Sequence, residues 1–381
     1  MMQTVSPHPA HARTVLVSGA SVAGLALAHW LRRHGFAPTV VERAPAIRPG
    51  GQAIDVRGAA LDVLDRMGLL AAARAARTLM RGMSMLDADG NELWRSTEMT
   101  LSGGRLDGDD IELLRDDLTG LLYERARDGV EYVFGDSIAA LDQRPDGIRV
   151  TFERTEPREF DLVVGADGLH SKVRALTFGP EERFIRHLGA YVAVFATDNF
   201  LGLEDWQIWV QDADRASLCV YPARGNTEIR ATVGFRSEPI GLDHRDTARQ
   251  RAVMAERLAH LGWETPRLLK TMREAPDFHC DAMAQIHLDR WADSRVALVG
   301  DAGYCASPLS GQGTSLALVG AYVLAAELGR ANGEYSTAFA RYEQRMRPYV
   351  ARNQALATED MSGAAGEAAL DAAKDAITLD E

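Results

Sequence analysis

Thr14-Val-Leu-Val-Ser18-Gly19-Ala20-Ser21-Val22-Ala23-Gly24 is the stretch from which the rest of this 381-residue chain is read. Thr14–Ser18 is a short, β-rich apolar run, the mark of a strand buried on both faces. A helical pattern follows from about Ser21 to His34, with Gly35 as its C-cap. Thr39–Glu42 then reads as a second parallel strand, completing a βαβ unit. Gly19-x-Ser21-x-x-Gly24 thus stands directly after a strand and opens a helix, the setting of a dinucleotide fingerprint. Gly19 permits the tight turn, Ala23 keeps the helix start small, and Gly24 lets the helix approach the strand. The helix start offers free N–H groups to a pyrophosphate. Ser21 occupies the place where glycine normally lets the backbone approach the phosphate, and serine is a small replacement that weakens the pattern without removing it. Glu42, 18 residues beyond Gly24 and followed by Arg43, is placed to accept the adenosine ribose hydroxyls. An acid there repels a 2′-phosphate, which favours FAD or NAD over NADP at this site. A rival reading takes Arg13, the apolar run 14–28 and Ala26-Leu27-Ala28 as a secretory signal. The turn residues Gly19-Ala20-Ser21 interrupt that run, and later motifs favour strand, turn and helix.

Working outward, 42 basic and 54 acidic residues give a net charge of −12, with no basic block. This argues against nucleic acid or an anionic membrane as the main partner. Cys219, Cys280 and Cys305 lie far apart and form no CxxC pair. That implies neither a disulfide framework nor a zinc site, no metal, and a reducing, cytoplasmic setting. No apolar run reaches the length of a membrane span.

Residues 1–12 read as a loose tail, and residues 58–80 as helical with an interruption at Gly68. Helical signal returns at 111–128, where Leu114, Leu118, Leu121 and Leu122 share a face. Two short strands, 131–134 and 148–152, surround a Pro-Asp-Gly turn at 145–147. From about Ala190 to Ser237 the chain reads as an antiparallel sheet, followed by an amphipathic helix near 246–261. A helix from Thr314 to about Leu328 and an Ala-rich helical end with an acidic tail complete the chain. The expected fold class is α/β: a Rossmann-like FAD-binding domain interrupted by an antiparallel-sheet substrate domain, with C-terminal helices. The expected division is 1–80, 106–180 and 281–330 for the first, 81–105 and 181–280 for the second, and 331–381 for the helical end.

Two further motifs repeat a buried strand that ends in glycine beside an acid. One is Asp161-Leu-Val-Val-Gly-Ala-Asp167-Gly168-Leu-His-Ser-Lys-Val-Arg174. The other runs from Gly300-Asp301 through Tyr304, Cys305 and Pro308 to Gly311-Gln-Gly313-Thr314. There a helix start directs its positive dipole at an anionic group. Together the three motifs resemble the group A flavoprotein monooxygenases, relatives of para-hydroxybenzoate hydroxylase. The short tetracycline-inactivating and polyketide-tailoring members are the more similar ones, over roughly residues 14–330. The resemblance implies FAD as cofactor, with Asp167 and Gly168 serving both FAD and nicotinamide, and Asp301 holding the ribityl or ribose part. Pro308, Gly311, Gly313 and Thr314 then lie along the isoalloxazine. Arg115 matches a family arginine that touches FAD, Asp55 faces the flavin, and Arg48 is a candidate contact for NADPH or NADH. Tyr304 departs from a frequent histidine.

The resemblance further implies a flavin C4a-hydroperoxide that hydroxylates, or Baeyer–Villiger oxidises, an aromatic or polyketide-like molecule with O2 as co-substrate, in antibiotic or secondary metabolism. The flavin carries the chemistry. Trp206, Trp209, Tyr221 and Phe235 are candidates to line the substrate pocket, although strand alternation lets only about half face inward. His187, His279 and His287 are available as bases on a phenol, but no catalytic base is assigned. Two other readings stand beside this one: a flavin-dependent reductase of the same superfamily, and a non-catalytic flavin-binding protein.

Overall fold

The computed structural model describes residues 13–212, 216–359 and 363–379; the expected loose tail and the last acidic residues lie outside these. Thr14–Ser18 stands inside a six-stranded sheet. Its order is Ala292–Asp293, Val296–Leu298, Leu162–Gly165, Thr14–Ser18, Ala37–Glu42 and Glu131–Phe134. Every neighbouring pair except the first runs parallel. Val15, Leu16 and Val17 are wholly buried, as their unbroken apolar run requires. The helix Val22–Arg33 packs against Gly313–Arg330 and Arg115–Ala126. The apolar run 14–28 is therefore strand, turn and helix, with Leu25–Ala28 wholly buried.

The stretch 111–128 is not one helix. Ile111–Leu114 is a strand paired antiparallel with Ala53–Val56, and the helix starts only at Arg115. The apolar residues Ile111, Leu113 and Leu114 read as a continuation of the helical leucine face, but a partner strand claims their backbone groups. The 58–80 stretch resolves into two short helices, Ala59–Arg66 and Leu70–Ala75, broken at Gly68 in a left-handed conformation (φ +70°). Ile138–Gln143, Ile148–Phe152 and Arg158–Phe160 form a small antiparallel sheet.

The second large sheet has seven strands. Its order is His279–Ile286, Ile185–Asp198, Glu228–Arg236, Ala216–Ala223, Gln207–Asp212, Met83–Leu86 and Glu92–Ser96. All its pairings are antiparallel except Gln207–Asp212 with Met83–Leu86. A division of the chain at 280/281 cuts the strand His279–Ile286. Alternation gives the sheet two distinct faces. On one, Ala193, Leu218, Val220, Val233 and Phe235 form a core with the helices Thr247–Leu258 and Thr265–Met272. On the other, Cys219, Tyr221 and Trp209 pack with Ala53, Met80 and Leu114, turned toward the six-stranded unit. The Tyr221 hydroxyl accepts a hydrogen bond from the Ala53 N–H at 2.6 Å and ties the two units together.

At the C-terminal end, Tyr335–Ala355 packs on Gly313–Arg330, and Gly363–Lys374 packs on Tyr335–Ala355. Among the described residues no helix is long and apolar enough to cross a membrane.

Candidate active site

The fingerprint turn is built so that only glycine fits at its two ends. Gly19 has φ +106°, and a Cβ there would lie 2.5 Å from the Ala166 carbonyl oxygen. A Cβ on Gly24 would lie 1.9 Å from the Gly19 carbonyl oxygen, so this glycine lets the helix sit directly on the turn. Ser21 is the N-cap residue, yet its side chain caps nothing, which leaves the first N–H groups of the helix open. Glu42 reaches the same place from the next strand: its carboxylate accepts from the Ala20 and Ala44 N–H groups, both at 2.8 Å. Arg43 beside it is exposed. Ala23 packs beneath Gly300, whose added Cβ would come within 3.1 Å of the Ala23 methyl.

The second motif divides into a structural half and an open half. The Asp167 carboxylate accepts from Ser171 Oγ at 2.5 Å, the Val173 N–H at 3.1 Å and Ser18 Oγ at 3.4 Å. It therefore organises the start of the helix Lys172–Phe178, and desolvation raises its pKa. Gly168, at φ +83°, has open space where a Cβ would stand, so its backbone is the approachable part. Two residues on, His170 makes contacts that sequence reasoning missed. Its Nδ1 lies 2.8 Å from Glu181, its Nε2 lies 3.1 Å from Asp281, and its ring stacks on His244 at 3.8 Å. Burial opposes the imidazolium, but the hydrogen bonds to Asp281 and Glu181 outweigh it and raise the pKa to about 9. Arg174, wholly buried, donates to Glu181 and to the Ala302 and Leu169 carbonyls. This carries the network to the third motif. No spacing rule in the sequence joins Asp281 to His170, because His170 lies in the turn before the helix Lys172–Phe178 and Asp281 on a strand of the seven-stranded sheet.

In the third motif, the strand ends at Leu298, Gly300 is the N-cap, and Asp301 opens a single helical turn. Asp301 is solvent-accessible although protein surrounds it, and desolvation raises its pKa; a carboxylate on the floor of an open cleft has this combination. Pro308–Ser310 form a 3₁₀ turn, Ser307 holds a positive φ of 73°, and Gly311 is left-handed. The helix Gly313–Arg330 starts without a side-chain cap, so the N–H groups near Gly313 and Thr314 are open as well.

The segment 48–57 closes the cleft from the side of the seven-stranded sheet. Asp55 forms an ion pair with Arg57 at 3.0 Å, and an added Gly311 Cβ would lie 3.7 Å from its carboxylate. Desolvation raises the Asp55 pKa to about 7; Arg57 opposes this and Glu112 adds to it. Arg115 donates to the Gly50 carbonyl at 2.6 Å, and desolvation together with the nearby Arg48 lowers its pKa to about 10. Two guanidinium groups that repel each other beside a cleft fit an anionic partner. Asp116 accepts from the Gly50 N–H, while Arg230, buried, bridges Glu228 at 2.7 Å and Asp277 at 3.4 Å. His279 is exposed near Arg48 and Arg115, with its pKa lowered by desolvation.

The four aromatic candidates separate. Trp209 and Tyr221 stand on the face turned to the cleft, where Trp209 Nε1 donates to Gln207 Oε1 at 2.7 Å. Phe235 points the other way, into the helix-covered core, with Arg257 over its ring, so its aromatic character serves packing. Trp206 precedes its strand and donates to Ser84 Oγ at 3.0 Å, away from Trp209. Cys305 is buried, with burial pushing its thiol up, and Tyr304 bonds the Tyr342 hydroxyl at 2.9 Å.

Two open helix starts, an acid on each flank of the cleft and a like-charged arginine pair together fit an extended anionic dinucleotide that carries a flavin ring. Family comparison agrees with this geometry. The FAD binding domain model matches residues 12–356, and the chain belongs to that family, among the flavin-dependent monooxygenases. An uncharacterized Mycobacterium tuberculosis protein is 56% identical over 353 residues, covering 93% of this chain and 95% of that one. A flavin-dependent monooxygenase from an unidentified prokaryote is 41% identical over 346 residues, covering 91% and 89%. Among solved structures, the tetracycline destructase Tet(55) matches with a TM-score of 0.87 and 37% identity, covering 98% of this chain and 99% of that one. Tet(51) gives the same TM-score at 33% identity, covering 97% and 100%.

Proposed function

We propose that this chain is a monooxygenase that uses NADPH or NADH and O2 to hydroxylate, or Baeyer–Villiger oxidise, an aromatic or polyketide-like small molecule. The observation that carries it is the joint placement of the two uncapped helix starts, Asp301 and the Asp55–Arg57 pair around one cleft walled by the cleft-facing side of the seven-stranded sheet. FAD, when bound, supplies the redox chemistry, accepting a hydride from nicotinamide and activating O2. The protein supplies placement. Gly19, Ser21, Ala23, Gly24, Glu42 and Arg43 hold the adenosine and pyrophosphate half, and Asp301 holds the ribityl. Gly168 offers its backbone, with Asp167 shaping the turn beneath it. Pro308, Gly311, Gly313 and Thr314 carry the ring, and their open N–H groups favour negative charge on it. Asp55 and Arg115 hold the opposite edge, and Arg48 receives the nicotinamide cofactor. Trp209 and Tyr221 wall the substrate side and exclude water, which limits loss of the activated oxygen. The likeness to Tet(51) and Tet(55) supports a polycyclic, tetracycline-like substrate.

FAD-loaded protein under air should consume NADPH or NADH faster when tetracycline or another planar polyketide is added, and yield a product heavier by one oxygen. Nicotinamide oxidation that proceeds equally without O2, giving a product two hydrogens heavier, would replace this reading with the reductase one.

A further inference from the structure

A second concavity, of about 440 Å³, opens beside Tyr304 and shares no residue with the cofactor-binding set above. Its walls come from the start of the strand Ile185–Asp198, the segment after the strand His279–Ile286, and the helix Tyr335–Ala355. Three arginines line it, Arg183, Arg186 and Arg347, against one carboxylate, Asp289. Arg183 and Arg186 are exposed and have no carboxylate partner among the described residues. Among the described residues the Arg183 guanidinium donates only to the Phe178 carbonyl, and it lies over the Phe184 ring at 5.3 Å. Arg347 is paired with Glu343 and lies over the Trp291 ring at 4.4 Å. On a chain of net charge −12, a cation-lined hollow with aromatic walls is a local exception.

We propose that this hollow binds a small planar aromatic carboxylate, at a site separate from the flavin cleft. Guanidinium forks match a carboxylate in two parallel hydrogen bonds, and the unpaired Arg183 and Arg186 are free to make them. Phe184, half-buried, offers apolar ring surface, Trp291 lies behind the Arg347 guanidinium, and the volume lies within the range of small-molecule sites. The wall is joined to the flavin loop. Gln354 Nε2 donates to the Ile286 carbonyl at 2.9 Å and the Cys305 carbonyl at 3.1 Å, and Gln285 Nε2 donates to the Ala306 carbonyl at 3.2 Å. The residues so held lead directly into Ser307–Gly313, so occupancy should also perturb the absorbance of bound flavin. That optical readout rests on the proposed FAD site; binding itself does not.

The test is calorimetric titration of the FAD-loaded protein with 2-naphthoate, and with 2-naphthalenemethanol as its uncharged counterpart. The expected result is one site for naphthoate with at least tenfold weaker binding of the alcohol, and at least a tenfold loss in R183E/R186E at unchanged flavin content. Ala351, an exposed residue of the wall, gives a second variant: A351W should fill the hollow and abolish binding. Absence of binding, equal affinity for the alcohol, or affinity unchanged in the charge-reversal variant would each overturn the site. Should R183E/R186E not fold, A351W alone decides, and unchanged affinity there places the probe elsewhere. Binding without any change in flavin absorbance would keep the site and overturn only its link to the loop.

Discussion

The Asp55 carboxyl is held beside Arg57 with Glu112 and Asp110 near enough to oppose its ionisation, and burial is the largest influence on it. With its pKa raised from 3.8 to about 7, the folded protein binds a proton that the unfolded chain releases. Between those values stability must fall as pH rises. The apoprotein should therefore lose about 2–4 kcal/mol to this group between pH 4 and pH 8, since each pH step of one between the two values is worth about 1.4 kcal/mol. In Asp55→Asn that part of the pH slope should disappear, whatever the variant's absolute stability, and urea midpoints at pH 5 and pH 8 measure it. An unchanged slope would mean that Asp55 ionises as an ordinary carboxyl. The same scale shows what sequence could and could not yield. Gly19 and Gly24 were readable because both belong to one short pattern. Gly24 meets the Gly19 carbonyl within the same turn, and Gly19 needs its positive φ there, although the clash it avoids is with the distant Ala166. Asp55 was placed near the flavin only through the family resemblance, and Arg57 was not singled out, since apart from Asp55 its partners Ser102 and Ser315 lie far away in sequence.

At the scale of elements, buried parallel strands and the helices they lead into were legible, because unbroken apolar runs and capping glycines are local signals. The strand Ile111–Leu114 was not. Its apolar residues continue the pattern of the following helix, and only its partner Ala53–Val56 reveals the difference. The ties between the two large sheets were invisible for the same reason. His170 shows what such a tie contributes. It links the second motif to Asp281 on the seven-stranded sheet and to Glu181, and Arg174 also pairs with Glu181. His244, stacked on the ring, has its pKa lowered by burial and by His170. The His170 pKa is raised from 6.5 to about 9, so its contribution is complete below pH 6.5 and lost as pH rises through 9. Asp281 and Glu181, despite desolvation, have lowered pKa values, so their share is lost only in acid below the ordinary carboxylate range. His170→Gln should therefore cost about 1–3 kcal/mol near pH 6, and wild type and variant should converge above pH 9. Urea unfolding followed at pH 6, 8 and 10 gives the comparison. A difference that stays constant across this range would assign the loss to packing and not to charge.

For the whole molecule, net charge first serves to exclude partners and then poses a problem, because FAD is itself an anion and this chain carries −12. The resolution is one of distance. At physiological salt the screening length is about 8 Å, so in the proposed site the open helix starts and the Arg48–Arg115 pair would act on the ligand while remote surface acids would not. A ligand held in the proposed way would touch segments near residues 19–24, 42, 55, 115, 168 and 301–314. Unfolding must then release it, and stability must rise with free FAD as RT ln(1 + [FAD]/Kd). At a thousandfold excess over Kd the gain is about 4 kcal/mol, a shift of several degrees in Tm that grows with each further addition. Asp301→Ala should leave the apoprotein folded, because the carboxylate is accessible and holds no ion pair among the described residues. It should nevertheless flatten the dependence of Tm on FAD concentration and release flavin on gel filtration. Stoichiometric flavin in that variant, with an undiminished Tm shift, would remove Asp301 from the binding set and move the ribityl contact to another residue of the cleft.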